Sequence, residues 1–355
     1  MFALHLYEKM ERVKRTSLKD IASSIGVSAT LVSFVLNGKA KQYNISEEMT
    51  QRVIAKAKEM KYSPNLVARN LREGKTQLIG IIVSDISNPF FSKMIRIIEK
   101  RAYELNYTVV FGSSDEDPNT IQRLVDMFLN KGVDGLIIVP CSGSAKIIEE
   151  IHRNKIPLVL IDRYFQDLNV SFSCLNNAKA TELATQHLIE QGLKDIALVV
   201  YNTEMSHNKE RIAGYEMSMI QAGLKEHLHV QKISIVNPKL EVGKALDYLV
   251  RKEKIEGVVF STNMLCVYGL HCFNEMNVKI PDEVAIVGFD GNDVFDLFYS
   301  PVSYINQPID QISEEAVNLI VDIIDTGLPV DRTMLITEPD LVVRKSSLKR
   351  VLING

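Results

Sequence analysis

Two different periodicities divide the chain. From Leu18 to Met60 apolar residues recur three and four apart, the spacing of one helix face. Leu18, Ile21, Ala22 and Ile25 make the first such stripe; Leu31, Val32, Val35 and Leu36 make the second. Between them Gly26 can turn at positive φ, and Ser28 offers a hydroxyl to cap the helix that follows. Two short helices joined by a tight glycine turn predict a helix-turn-helix, with Ala22 small enough for the crossing. Ala29, Thr30, Ser33 and Phe34 are left on the outer face at the start of the second helix. That is the part of such a motif that enters a DNA major groove. Ser46 predicts a cap for a third helix, with Glu47 and Glu48 at its electropositive end. Val53, Ile54, Ala57 and Met60 would pack it beneath the first two. Ser63-Pro64 opens one more helical stretch, reaching Arg72. It has no long apolar face, so its helicity should depend on a partner, as a hinge helix would.

From Leu78 onward, apolar runs bounded by turns alternate with helical stretches. The runs Leu78–Val83, Thr108–Phe111, Gly135–Val139, Leu158–Ile161, Ile196–Val200, Gly257–Phe260 and Val284–Val287 predict strands. The stretches Phe90–Leu105, Ile121–Lys131, Ala178–Gln191, Lys209–Ala222, Val242–Arg251 and Met264–Met276 predict the helices between them. This alternation implies parallel sheets buried on both faces. The region 77–346 exceeds what one core comfortably holds, so two doubly wound lobes are expected. A ligand would sit between them, at the strand carboxyl ends. Pro308–Asp325 reads as a long helix by which the chain returns to the first lobe. Thr333–Val343 would carry it back to the second.

Charge sharpens this division. The net charge of −3 argues against nucleic acid until it is split by region. Residues 1–75 hold 14 Lys+Arg against 7 Asp+Glu, and the remainder holds 27 against 37. A basic head on an acidic body suits a module that meets phosphates joined to one that does not. The four cysteines, Cys141, Cys174, Cys266 and Cys272, form no Cys-x-x-Cys pair and lie near no clustered histidines. Neither a metal site nor a disulfide framework is expected, and reduced thiols fit a cytoplasmic protein. No apolar run reaches the ~18 residues of a membrane span. Met1–Tyr7 lacks the apolar length and cleavage site of a secretory leader. The Gly-rich phosphate loops, Gly-x-Ser-x-Gly and His-Glu-x-x-His are all absent, so no cofactor and no catalytic group is assigned. The strand ends offer Ser84-Asp85, Asp162-Arg163 and Asp290 instead. Carboxylates accept hydroxyls and a guanidinium donates in a fork, chemistry suited to a sugar or small polar metabolite.

The chain resembles the lactose/galactose repressor family from about Thr16 to Ser346. The opening motif is followed by Tyr62-Ser63-Pro64-Asn65-Leu66-Val67-Ala68-Arg69-Asn70-Leu71 and Ile79-Gly80-Ile81-Ile82-Val83. Further blocks are Asn88-Pro89-Phe90-Phe91, Lys131 to Ile137, Pro157 to Arg163, Arg211 to Tyr215, Ile280 to Asp290 and Asn306-Gln307-Pro308. The resemblance implies an all-α helix-turn-helix head on a two-lobe α/β core like that of periplasmic binding proteins. It implies a dimeric transcription regulator on a near-palindromic DNA operator, answering to a small-molecule effector of carbohydrate type. Carried over for DNA are Ser28, Ala29, Thr30, Ser33, Phe34, Asn37, Asn65, Ala68, Arg69 and Leu71, the last as a wedge in the minor groove. Carried over for the effector are Asn88, Phe90, Asp162, Arg163, Arg211, Asn263, Asp290 and Gln307. Arg163 is left as either a ligand contact or a bridge between lobes. Two features of the head depart from the family. Phe34 stands where many relatives have a guanine-reading arginine, and the loop Gly38–Ile45 is longer than usual. Met264 also follows Asn263 where relatives often have aspartate.

The expected organisation is an arm (1–15), the head (16–62), a hinge helix and linker (63–76), the core (77–346) and a tail (347–355). Lobe 1 is expected to hold 77–174 and 308–325, and lobe 2 to hold 175–307 and 326–346. A sugar receptor without DNA function is the rival reading; residues 16–72 speak against it. A two-lobe α/β enzyme is another, without a catalytic constellation to support it.

Overall fold

The computed structural model describes residues 16–62, 75–327 and 333–348. The chain divides into two compact units, Met1–Thr76 and Gln77–Gly355. In the first unit, α1 (Leu18–Ile25), α2 (Ala29–Leu36) and α3 (Glu47–Glu59) pack around Ile21, Ala22, Val32, Val35, Ala40, Val53 and Ala57. Ser17 caps α1 in a reciprocal box with Asp20, and Gly26 ends it in the left-handed conformation at φ 73°. Ser28 and Ser46 cap α2 and α3. The arm 1–15 and the hinge stretch 63–74, with Asn65, Ala68, Arg69 and Leu71, lie outside the described residues.

The second unit holds two six-stranded sheets. The first comprises β1 (Leu78–Val83), β2 (Thr108–Ser113), β3 (Gly135–Ile138), β4 (Leu158–Ile161) and β5 (Phe172–Leu175), alternating with α4 (Pro89–Glu104), α5 (Pro118–Asn130) and α6 (Ala145–Arg153). The second comprises β6 (Ile196–Tyr201), β7 (Leu228–Ile233), β8 (Gly257–Phe260), β9 (Ala285–Phe289) and β10 (Ser303–Asn306). Its helices are α7 (Asn177–Glu190), α8 (Ser206–Gln221), α9 (Pro238–Tyr248), α10 (Asn263–Glu275) and α11 (Asp293–Leu297). After β10, α12 (Ile309–Thr326) returns to pack on the first sheet. Strands β11 (Met334–Thr337) and β12 (Asp340–Val342) follow. The orders are β11-β5-β4-β3-β1-β2, all parallel, and β12-β10-β9-β8-β6-β7, parallel except for β12.

Both sheets are thus doubly wound, and every long apolar run became a strand. The strands not read from sequence are β5, β7, β10, β11 and β12. Strands β7, β11 and β12 are edge strands with half-exposed, mixed sequences that give no clear run. In β5 the buried Ser173 interrupts the pattern; its hydroxyl donates to the Ile312 carbonyl at 3.0 Å. The expected assignment of 326–346 to lobe 2 is corrected by the sheets. Met334–Thr337 pairs with Phe172–Leu175 in the first sheet, while Asp340–Val342 pairs with Tyr304–Asn306 in the second. The crossing therefore falls at Glu338-Pro339. Leu175 likewise belongs to the first sheet, one residue past the expected boundary. Three strands of chain cross between the lobes, after β5, after β10 and after β11.

In lobe 2, α7 and α8 approach closely at Gly214. A Cβ there would overlap the Ala178 carbonyl and the Thr181 hydroxyl. Only glycine admits this approach, which fixes how α8 presents its N-terminal turn to the cleft.

Candidate functional site

In the head, α2 buries Val32 and Val35 and turns its other positions outward. Ser28, Thr30 and Asn37 are exposed; Ala29, Ser33 and Phe34 are half-buried. The Ser28 hydroxyl accepts from the Leu31 amide at 3.1 Å, which is its capping duty. The Asn37 amide donates to the Ser33 carbonyl at 2.7 Å and to the Ser33 hydroxyl at 3.2 Å. Phe34 lies flat on Tyr43 of the following loop, with ring centroids 3.6 Å apart and planes within 4°.

The other site lies inside the second unit. In a parallel sheet all carboxyl ends fall on one edge. The loops after β1, β2 and β4 therefore face those after β6, β8, β9 and β10 across a cleft of about 390 Å³. All eight effector candidates, Asn88, Phe90, Asp162, Arg163, Arg211, Asn263, Asp290 and Gln307, line this cleft.

On the lobe 1 wall, Arg163 donates to both Glu116 oxygens at 2.8 and 2.9 Å and to Asp162 at 3.1 Å. Glu116 also accepts from the Ser84 hydroxyl. These partners all belong to lobe 1, so Arg163 does not bridge the lobes. Other groups do. Asn263 donates to Asn88 Oδ1 at 2.9 Å across the cleft, the same oxygen that caps α4 through the Phe90 amide. Beside the cleft, the Tyr164 hydroxyl donates to Glu210 and its amide to the Ser206 hydroxyl. Phe90 is 6 % exposed and edge-on to Phe91, so it serves the core as well as the cleft wall.

On the lobe 2 wall, Arg211 Nε donates to Asn177 Oδ1 at 2.9 Å and a second nitrogen donates to the Ser261 carbonyl. Its guanidinium sits 4.3 Å above the Phe289 ring. Gln307 donates to Asp290 at 2.7 Å.

Burial pushes the Asp290 carboxyl up to about 7, against the opposing pull of Arg211 and Gln307. It raises Asp162 too, opposed by Arg163 and Arg211. Burial also lowers Arg211. For Arg163 the attraction of Glu116 and Asp162 outweighs burial, and its value rises. His207 falls well below the usual histidine range through burial, then repulsion by Arg163 and Arg211, so it is neutral. Five acids line the cleft, Asp85, Asp115, Glu116, Asp162 and Asp290, against two arginines. Four of those acids, Asp115, Glu116, Asp162 and Asp290, hold left-handed backbone at φ between 52 and 68°. Such backbone is costly for a residue other than glycine and concentrates at binding sites.

The sequence reading missed Glu116, Tyr201, His207, Asn208 and Tyr268, which also line the cleft. A signal existed for some of them. Asp115-Glu116 follows a strand end, and His207 and Asn208 precede Arg211 by one helical turn. His207 Nδ1 and Asn208 Oδ1 are buried with no hydrogen-bond partner among the described residues. Groups of this kind are rare and await a ligand or water.

Comparison with known proteins adds the lineage. Residues 76–345 match the model of periplasmic binding proteins and the sugar-binding domain of the lacI family. Residues 17–65 match that of bacterial regulatory proteins of the lacI family. The chain is 28% identical over 334 residues to the HTH-type transcriptional regulator RegA of Clostridium saccharobutylicum, covering 94% of this chain and 99% of that one. It is 30% identical over 313 residues to the sucrose operon repressor of Pediococcus pentosaceus, covering 88% and 93%. In fold it resembles the lac repressor dimer bound to operator and an anti-inducer, with a TM-score of 0.81 at 21% identity, covering 94% and 100%.

Proposed function

The chain belongs to the lacI family of bacterial regulatory proteins, and on that premise we propose how this member works. It is a DNA-binding transcription regulator controlled by an effector, and not an enzyme. Our reading is that two copies set their heads on the halves of a near-palindromic operator in the cytoplasm. Ser28, Ala29, Thr30, Ser33, Phe34 and Asn37 then face base edges. Asn65, Ala68, Arg69 and Leu71 act from the hinge stretch, with Leu71 as the wedge.

The effector is a hydroxyl-rich small molecule, a sugar or sugar derivative, held between the lobes. Asp162 and Asp290 accept its hydroxyls, Arg211 donates, and His207 and Asn208 gain the partners they lack. Tyr201, Tyr268 and Phe90 supply apolar faces for the ring. The effector carries no negative charge. Both arginines of the cleft already serve protein carboxylates or carbonyls, and the lining acids outnumber them. A ligand that bonds both walls selects one angle between the lobes, in competition with the Asn88–Asn263 and Tyr164–Glu210 contacts. That angle sets the spacing of the two hinges and so the affinity for DNA.

The observation that carries this reading is the convergence of polar groups from both lobes on one cleft. Among the described residues, no single helix is long and apolar enough to cross a membrane. The test is fluorescence anisotropy with duplexes enriched from a random library by the full chain, with and without a panel of sugars. A duplex bound far above bulk DNA, with its affinity altered by an uncharged sugar, is expected. Binding indifferent to sequence at every salt concentration would sink the proposal.

A further inference from the structure

The head's two departures from the family meet in one place. Phe34, on α2, and Tyr43, in the loop 38–45, form the flat stack described above. Neither ring belongs to the head's hydrophobic core, whose buried and half-buried members come from other positions on the three helices and adjoining turns. Tyr43 is 46 % exposed. A stack that buries so little does not exist to stabilise the core.

Its placement indicates what it meets. On α2 the residues 29, 33, 37 and 30 run across the outward face, and Phe34 stands at that face's edge. The loop then folds back to cover one side of the ring. Gly38 turns at φ 71°, Lys39 donates its amide to the Phe34 carbonyl at 2.8 Å, and Ile45 donates to the Ala40 carbonyl at 2.9 Å. Ala40 is buried and pins the loop to the core. Between Ala29 and Ser46 the chain carries Lys39 and Lys41, both exposed, and no acid. The surface around the stack is therefore apolar at its centre and positive at its rim, complementary to a base step bordered by phosphates.

We infer that Phe34, held rigid by Tyr43, is a specificity-determining group that reads the 5-methyl of a thymine in the major groove. A phenyl ring can neither donate to guanine nor accept from cytosine. The thymine methyl is the only apolar feature on a major-groove base edge. Tyr43 acts as a positioning residue: by occupying one face of the ring it removes rotamer freedom and leaves the edge directed at the groove. This inference rests on the DNA-binding reading above and deepens it.

The full chain first enriches duplexes from a random library. The enriched duplex is then remade with deoxyuridine for each thymidine in turn, and its affinity measured by anisotropy. One thymine in each half-site should lose about fourfold in affinity without its methyl, the value of burying one such group. Phe34→Ala should abolish this methyl preference. Tyr43→Phe should keep it, and Tyr43→Ala should shrink it. Because the readout is a ratio of thymine to uracil duplex within each variant, a partly unfolded head does not mimic the result. No methyl-sensitive thymine in the half-site, or one equally sensitive in Phe34→Ala, would overturn the inference. Failure to enrich any sequence would instead overturn the DNA-binding reading itself.

Discussion

The buried carboxyl of Asp290 should make the core lose stability as pH rises. Its folded value, about 7, stands above the ordinary 3.8. A raised carboxyl binds its proton more tightly in the folded state than in the unfolded state. The stability it contributes is therefore present at low pH and lost as pH rises from the unfolded value through the folded one. Integrating between those two values removes about 2 kcal/mol between pH 5.5 and pH 8. For a core of this size that is a fall of roughly 4 °C in melting temperature. The perturbation is Asp290→Asn. The asparagine oxygen still accepts from Gln307, so the hydrogen bond at 2.7 Å survives while the ionisation does not. Other groups titrate in both proteins and cancel in the comparison. Calorimetric melting of both chains across this range should show near-equal stability at pH 5.5. At pH 8 the variant should be the more stable by about 2 kcal/mol. A difference between the two that does not vary with pH would refute the reasoning, because it would place the carboxyl in water-like surroundings.

Other expectations follow from the same geometry. Gly214→Ala should lower the core's melting point by the equivalent of at least ~1–3 kcal/mol, since the Ala178 carbonyl is backbone and cannot yield; unchanged melting would contradict the close approach. Ser17→Ala removes the hydroxyl that accepts from the Asp20 amide while the Ser17 backbone amide still donates to the Asp20 carboxylate, and it should cost the head about 1 kcal/mol, read by helical circular dichroism on melting. Arg211→Ala strands Asn177 and the Ser261 carbonyl and removes a cleft donor, so calorimetric binding of any sugar that the wild type takes should vanish. For such a sugar, its uronate or phosphate ester should bind at least about tenfold more weakly, because the added charge enters a cleft lined by five acids against two arginines. Equal binding would show that Arg163 leaves Glu116 for the ligand.

The residues that repeat at a fixed interval were the legible ones. The three and four spacing around Ile21, Val32 and Val53 specified the head, because a short helix can bury only one face. The long Val/Ile runs specified both sheets, because strands covered on two sides tolerate little else. The eight cleft candidates came from family resemblance and strand ends, and strand ends are local features. The edge strands β7, β11 and β12 were not legible, since a half-exposed strand keeps too few apolar residues to stand out. The return crossing at Glu338-Pro339 was misplaced for the same reason.

By itself the sequence determined which segments are helices or buried strands, that a basic head precedes an acidic two-lobe body, and which residues stand at strand ends. Those properties depend on neighbours a few positions away. Only the tertiary structure decided that Glu116 clasps Arg163, that Asn88 meets Asn263 across 175 positions of chain, and that Phe34 rests on Tyr43. Such pairings depend on how whole elements dock. A polar side chain at a loop end has no period, and its partner is chosen by the packing of sheets and helices far from it in sequence.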